Sequence, residues 1–212
     1  MYKDIVDDFN ADPTGNWNSQ CAFEAASDFF NNRQGNGILN IPPDYTLSGE
    51  QNIDPVHSTH NPFWKTGNDV LCFESCNNLI IQGKIVSGLA SKIKFDDCLD
   101  YGLFDPVTSD RLISDLPFGT LGCGVNLYHK IASVGVFIYL KDCNNITINN
   151  LDIDGNSDNL SYGGHYCDGI QVPATGIISN STTNLHINSL NVHHFGQDGL
   201  VVYDNSTPPK PF

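Results

Sequence analysis

The sequence is short of charge, and shortest of positive charge: Lys and Arg together number 10 against 24 Asp and Glu, giving a net charge of −14. A surface that negative repels phosphate backbones and anionic lipid, so nucleic acid and membrane surfaces are not expected partners. It also repels a polyanionic glycan unless a basic patch or bridging Ca²⁺ intervenes, and leaves a neutral glycan unopposed. No apolar run approaches the ~20 residues that span a bilayer, which argues against membrane insertion. The opening Met1-Tyr2-Lys3-Asp4-Ile5-Val6-Asp7-Asp8 lacks the charged-then-apolar order of a secretory signal and reads as a chain boundary or a cytoplasmic start. The 7 cysteines are odd in number, and Cys72 and Cys76 have no second Cys/His pair at zinc-finger spacing. No metal ligands are therefore assigned, and most cysteines are expected to be buried as small hydrophobes.

What the chain does contain is core material and turn material. Hydrophobic residues make up 40%, and 24 Asn and 19 Gly supply left-handed and tight-turn positions. Ala22, Phe23, Ala26, Phe29 and Phe30 share one face at helical spacing, which predicts a helix over 20–30. Asn18 or Ser19 serves as its N-cap, and Asn31-Asn32 then Gly35 end it. Gly37–Ile41 and Tyr45–Gly49 read as strands either side of a Pro42-Pro43-Asp44 turn.

Asp8, Phe9, Ala11, Asp12, Gly37, Ile41, Pro42, Pro43 and Tyr45 stand in an order that resembles the entry segment of pectate-lyase-like proteins. That resemblance covers about fifty residues. It implies a helix that plugs the open end of a β-helix, where core side chains and strand edges would otherwise be bare.

Three later stretches share a pattern. Asn78, Asn145 and Asn184 each precede an alternating apolar run: Leu79-Ile80-Ile81, Ile146-Thr147-Ile148 and Leu185-His186-Ile187. Period two means a strand with one buried face, and the fixed Asn suggests a left-handed turn whose amides stack as a ladder. A second strand recurs at Val70–Phe73, Val136–Tyr139, Ile170–Val172 and Leu200–Tyr203, the last three roughly thirty residues apart. The expected fold is all-β: a right-handed parallel β-helix, or solenoid, with a short N-terminal capping α-helix. One domain is expected over 1–212, with the cap and first strands in 1–50, coils in 68–205, and a degenerate coil in 88–130. No capping segment follows Tyr203, so the expectation is a chain that continues past Phe212 or whose cap is supplied elsewhere.

Cys167-Asp168-Gly169-Ile170-Gln171-Val172 and Gln197-Asp198-Gly199-Leu200-Val201-Val202 agree in residue type. Stacked one coil apart, Asp168 and Asp198 would lie about 5 Å from each other. Like charges that close raise one pKa and leave an acid beside a base; a Ca²⁺ ion between them, or a plain Asp-Gly turn, are the other uses. The same residues are similar to the Asn-Thr-Asp-Gly-Ile-Asp and Gly-Asp-Asp-Cys-Ile motifs of polygalacturonases (glycoside hydrolase family 28). This chain departs from them at Gln197, which stands at the first paired aspartate, and at Cys167. Tyr101-Gly102-Leu103-Phe104-Asp105-Pro106 resembles the Tyr-Gly-Phe-Asp-Pro-His of alginate epimerases, without the His.

His193 and His194 precede Asp198, but neighbouring strand residues point to opposite faces, so only one should reach the cleft; His194 is the candidate. The loop 154–166 supplies Tyr162, His165 and Tyr166, and with Gln171 and Gln197 these are the expected sugar-contacting residues. The functional expectation is a secreted carbohydrate-active enzyme acting on extracellular polysaccharide, hydrolase before lyase, with Asp168, Asp198 and His194 as acid–base groups. No cofactor is expected beyond Ca²⁺. The alternative is a non-catalytic β-helix that binds glycan, as an adhesin or a phage tail-fibre or tailspike protein.

Overall fold

The computed structural model describes residues 1–42, 46–53, 63–112, 130–163 and 174–204. The chain opens with β1 (Tyr2–Asp4), α1 (Gln20–Asn31), β2 (Gly35–Asn40), β3 (Thr46–Ser48) and β4 (Gln51–Ile53). Next come β5 (Lys65–Gly67), β6 (Leu71–Glu74), β7 (Asn77–Gln82), β8 (Ile85–Val86), β9 (Leu89–Phe95) and β10 (Asp100–Leu103). Then follow β11 (Ile131–Ala132), β12 (Gly135–Lys141), β13 (Asn144–Asp154), β14 (Ser161–Tyr162), β15 (Ala174–Asn180), β16 (Thr183–His193) and β17 (Leu200–Tyr203).

α1 forms where the apolar spacing places it, and Ala22, Phe23, Ala26 and Phe30 are buried. Ser19 is its N-cap and makes no side-chain cap bond; the preceding Asn18 accepts the Gln20 N–H on its Oδ1 at 2.8 Å instead. At the other end the Asn31 amide donates to the Cys72 carbonyl and accepts the Glu74 N–H, which pins the helix to β6. No described helix is long and apolar enough to cross a membrane.

β13 is the centre of the largest sheet. Its first half pairs with β7 (Ile148↔Ile81), its second half with β9 (Ile153↔Ile93), and its whole length with β16, all parallel. The change of partner happens at Asn150, whose φ of 56° breaks the alternation; Ser189 does the same in β16 at 50°. Inward residues therefore fall at Ile146 and Ile148, then Leu151 and Ile153, with three positions instead of two across the bend. A smaller parallel ladder runs β6, β12, β15, β17. Between the ladders lies one apolar cluster that includes Phe73, Phe95, Phe137, Ile148 and Ile153, all fully buried.

The asparagine expectation holds for the left-handed turns and for part of the ladder, which shifts by one residue at Asn184. Asn36, Asn78, Asn145 and Asn184 all have φ between 51° and 57°. The Asn78 amide donates to Asn36 Oδ1 at 3.2 Å and the Asn145 amide to Asn78 Oδ1 at 2.7 Å, while the Asn184 amide bonds to Asn144 Oδ1.

The right-handed parallel β-helix expectation is corrected. The described strands form sheets of eight, five and four strands whose orientations differ, and the pairs β4–β5, β8–β9 and β10–β11 are antiparallel. A single uniform solenoid does not organise the described residues. One physical cause is local: Ser87 and Gly88 both have positive φ, 53° and 82°, the geometry of a two-residue hairpin, and β9 folds back on β8. The thirty-residue spacing also gives way, since Leu200 pairs with Ile177 of β15. Ile170–Val172, with the Pro43-Asp44-Tyr45 part of the early turn, lies outside the described residues.

Beside α1, Asp69 Oδ1 accepts the Val136 N–H at 3.1 Å, and burial pushes its carboxyl up to about 6 despite that bond. The unfolded value is ~3.9. Between those two values the folded chain keeps a proton that the unfolded chain gives up, so stability falls as pH rises through that window. Asp69→Asn keeps the carbonyl acceptor and should flatten that slope, leaving the variant more stable than the parent by ~1–2 kcal/mol at neutral pH. Urea unfolding at mildly acidic and neutral pH measures it; an unchanged difference between parent and variant would contradict it.

Candidate active site

The site lies where β13 and β16 end. Their register sets Asp152 beside Asn191 and Asp154 beside His193, while β9 brings Lys92 beside Asp152 on the other side. Asp154 is 7% exposed and is surrounded by donors. Its Oδ1 accepts the Asn156 N–H at 2.9 Å and meets His194 Nδ1 at 3.1 Å, and its Oδ2 pairs with Lys92 Nζ at 3.1 Å. Burial alone would raise the Asp154 carboxyl, but the Asn156 amide, Lys92 and His194 outweigh it and hold it below its ordinary value.

Both histidines reach this carboxylate, against the expectation that only one would. His193 still obeys strand alternation as the last residue of β16. His194, however, has φ 54°, and this left-handed step turns its ring back toward Asp154. The two rings then meet edge to face, with centroids 4.5 Å apart and Nδ1 atoms 2.8 Å apart. Phe195, next in the chain, packs its ring on Phe95 and Phe137 and anchors the turn in the core.

The hydrogen-bond network assigns the ring protons. His193 Nε2 lies 2.8 Å from Asp152 Oδ1, an acceptor, so Nε2 carries the proton and Nδ1 keeps a lone pair. His194 Nδ1–H then points at Asp154 Oδ1 and His193 Nδ1. Its Nε2 bonds to no described residue, on a side chain that is 52% exposed, and in the neutral ring carries the lone pair. Asp152 is steadied by the Asn191 amide at 2.9 Å. A carboxylate that holds one imidazole nitrogen and leaves the other open is a general-base arrangement.

The sequence-derived residues are placed as follows. His194 is in the cluster. Asp198 is exposed, its carboxylate is bonded to no described residue, and its backbone carbonyl accepts the Gly176 N–H. Gln197 Oε1 accepts the Thr175 hydroxyl at 3.2 Å. Tyr162 is 43% exposed and packs edge-on against Tyr101. Asp168, His165, Tyr166 and Gln171 lie outside the described residues, so the proposed stacking of Asp168 on Asp198 does too. Asp105, in the epimerase-like hexapeptide, accepts the Val107 and Thr108 N–H groups of its own turn. Sequence reading missed Asp152, Asp154, His193 and Lys92 as a group. Among the described residues, Asp154, His193 and His194 are also the group whose ligand atoms converge tightly enough to hold a metal ion.

No family model and no curated protein matches the chain. Among solved structures, the chain is similar to the mannuronan C-5 epimerase AlgE6 A-module of Azotobacter vinelandii, at 16% identity and a TM-score of 0.44. That match covers 95% of this chain and 46% of the other, so the chain spans about half of that module. A candidate glycosyl hydrolase from Parabacteroides merdae is similar at 14% identity and a TM-score of 0.26, over 95% of this chain and 96% of the other. Likenesses that distant assign no activity, and the site is read from its own residues.

Proposed function

We propose that this chain is a carbohydrate-active enzyme that works on extracellular polysaccharide, a hydrolase before a lyase, with His194 as an acid–base group oriented by Asp154. One observation carries this reading: His194 Nδ1 is held on a buried carboxylate while its ring is half exposed and Nε2 bonds to no described residue. The surface beside it suits a polyhydroxylated ligand. Asn149 and Asn188 are joined across the strands at 3.0 Å, and Asn191, Asp152 and His193 continue the row of hydrogen-bonding groups. The net charge of −14 favours a neutral glycan over a polyuronide. The likeness of the segments around Asp168 and Asp198 to polygalacturonase motifs supports polysaccharide hydrolysis but not the choice of glycan, and makes Asp198 the candidate for the second acid that glycoside hydrolysis needs.

The amide rows also favour a second reading, a glycan-binding surface with no turnover, because such rows would hold an extended chain without chemistry. A panel of neutral and acidic polysaccharides separates the two. The parent should release reducing ends, and His194→Ala should lower kcat by ~10²-fold or more with binding retained. Asp198→Asn run in parallel asks whether that carboxylate takes part. Cleavage unchanged in His194→Ala overturns the site; binding with no cleavage by the parent on any glycan selects the second reading.

A further inference from the structure

We propose that Asp154, His193 and His194 form a binding site for one divalent transition-metal ion of the Zn²⁺ type, with Asp154 Oδ1 and the two Nδ1 atoms as ligands. The inference concerns what these three atoms can hold; an ion on Nδ1 places the His194 proton on Nε2, so the metal-bound form and the acid–base form are alternative states of one cluster.

The geometry is the first support. The three atoms are separated by 2.8, 3.1 and 3.7 Å. Ligands ~2.0–2.1 Å from a tetrahedral Zn²⁺ are ~3.3 Å from one another, and the observed triangle brackets that value. Two imidazole Nδ1 atoms approach to 2.8 Å only when a proton, or an ion in its place, lies between their lone pairs. An ion entering there needs little rearrangement. The proton on His194 passes from Nδ1 to Nε2, His193 Nδ1 already has its lone pair, and no net proton leaves the pair.

The outer partners are the second support. A metal-bound histidine usually donates its other ring N–H to a carboxylate, which fixes the ring and makes it a better ligand. His193 does this to Asp152, which the Asn191 amide steadies in turn. Asp154 is set by the Asn156 N–H, and the turn carrying His194 is anchored by Phe195. Each of the three ligands is thus held from behind. The exposed side of His194 leaves a fourth position open to water or a ligand atom.

The donor set decides the ion. Two nitrogens and one carboxylate oxygen suit Zn²⁺, Co²⁺, Ni²⁺ or Cu²⁺, whereas Ca²⁺ asks for six to eight oxygens. Lys92 opposes binding, since its ammonium lies 3.1 Å from Asp154 Oδ2.

The test titrates Zn²⁺ into the full chain by calorimetry, with Co²⁺ as an optical probe and Ca²⁺ as a control. Expected are one Zn²⁺ per chain lost in the His193→Ala/His194→Ala double variant, at least ~10-fold weaker binding in Asp154→Asn, and intense tetrahedral Co²⁺ bands in the parent. Lys92→Gln should bind more tightly than the parent, a gain that a misfolded variant cannot produce. The parent failing to bind Zn²⁺, or binding that persists in the double histidine variant, as it would if thiols held the ion, overturns the site. Ca²⁺ binding as tightly as Zn²⁺ overturns the assignment of the ion. Because binding is read directly, its failure leaves the acid–base reading standing, and absence of polysaccharide cleavage leaves the metal site standing.

Discussion

Phe137→Ala should cost ~3–5 kcal/mol of folding free energy, the largest loss expected from any single side chain near the site. Phe137 is fully buried in the apolar cluster, with its ring centroid 4.5 Å from that of Phe95 and 6.3 Å from that of Phe195. Truncation removes the transfer free energy of the ring and leaves a cavity that the β12 backbone, held by β6 on one side and β15 on the other, cannot close. The loss reaches the site through Phe195, which among the described residues would keep only Phe95 as a ring partner and hold the His194 turn less firmly. Urea unfolding should show a lower midpoint at unchanged slope. A change below ~1 kcal/mol would mean that the ring is not where the core packing puts it.

Asp154→Ala should have the second largest effect, ~3 kcal/mol, and should abolish any activity or metal binding at the cluster. The substitution strips the acceptor from the Asn156 N–H, the Lys92 ammonium and the His194 ring at once. Asn156 is itself buried and reaches from this point to the Phe95 carbonyl and the Asp97 carboxylate, so the disturbance passes into the turn after β9. Asp154→Asn retains one carbonyl oxygen and should cost less. The pH dependence follows from the lowered carboxyl: its stabilising contribution is complete above the unfolded value and fades as pH falls through the folded one. The gap between parent and Asp154→Ala should therefore narrow in acid. A gap constant from acid to neutral pH would contradict the network around Asp154.

Much of the local structure was legible because it follows from short-range rules. The Ala22, Phe23, Ala26 and Phe30 spacing marks α1, and the asparagines at 78, 145 and 184 mark left-handed turns before strands. The bend at Asn150 was written in the sequence as well, in the three-residue step from Ile148 to Leu151, and the step from Ile187 to Leu190 repeats it around Ser189. Sheet orientation was not legible at that level, because the Ser87-Gly88 hairpin depends on two backbone angles that apolar periodicity does not report. The thirty-residue spacing followed the apolar runs at Val136, Ile170 and Leu200, while the strand that pairs with Leu200 starts as Ala174-Thr175-Gly176 and carries a weak alternating signal. For the site, His193 and His194 were named, but Asp152, Asp154 and Lys92 were not joined to them. Strand alternation put His193 and His194 on opposite faces, and the φ of 54° at His194 sets that rule aside. Lys92 came from a stretch with no clear repeat and became visible only when β9 was seen to pair with β13.

The site exists only if residues near 150 and near 190 lie side by side and run the same way. Interstrand nuclear Overhauser contacts in the isotope-labelled chain test this most directly. The structure predicts contacts that join Ile146 with Leu185, Ile148 with Ile187 and Ile153 with Val192, and a His193 ring proton close to Asp152. Contacts joining Ile146 with Val192 and Ile153 with Leu185, as an antiparallel pair would give, or no contacts between the two strands, would contradict it.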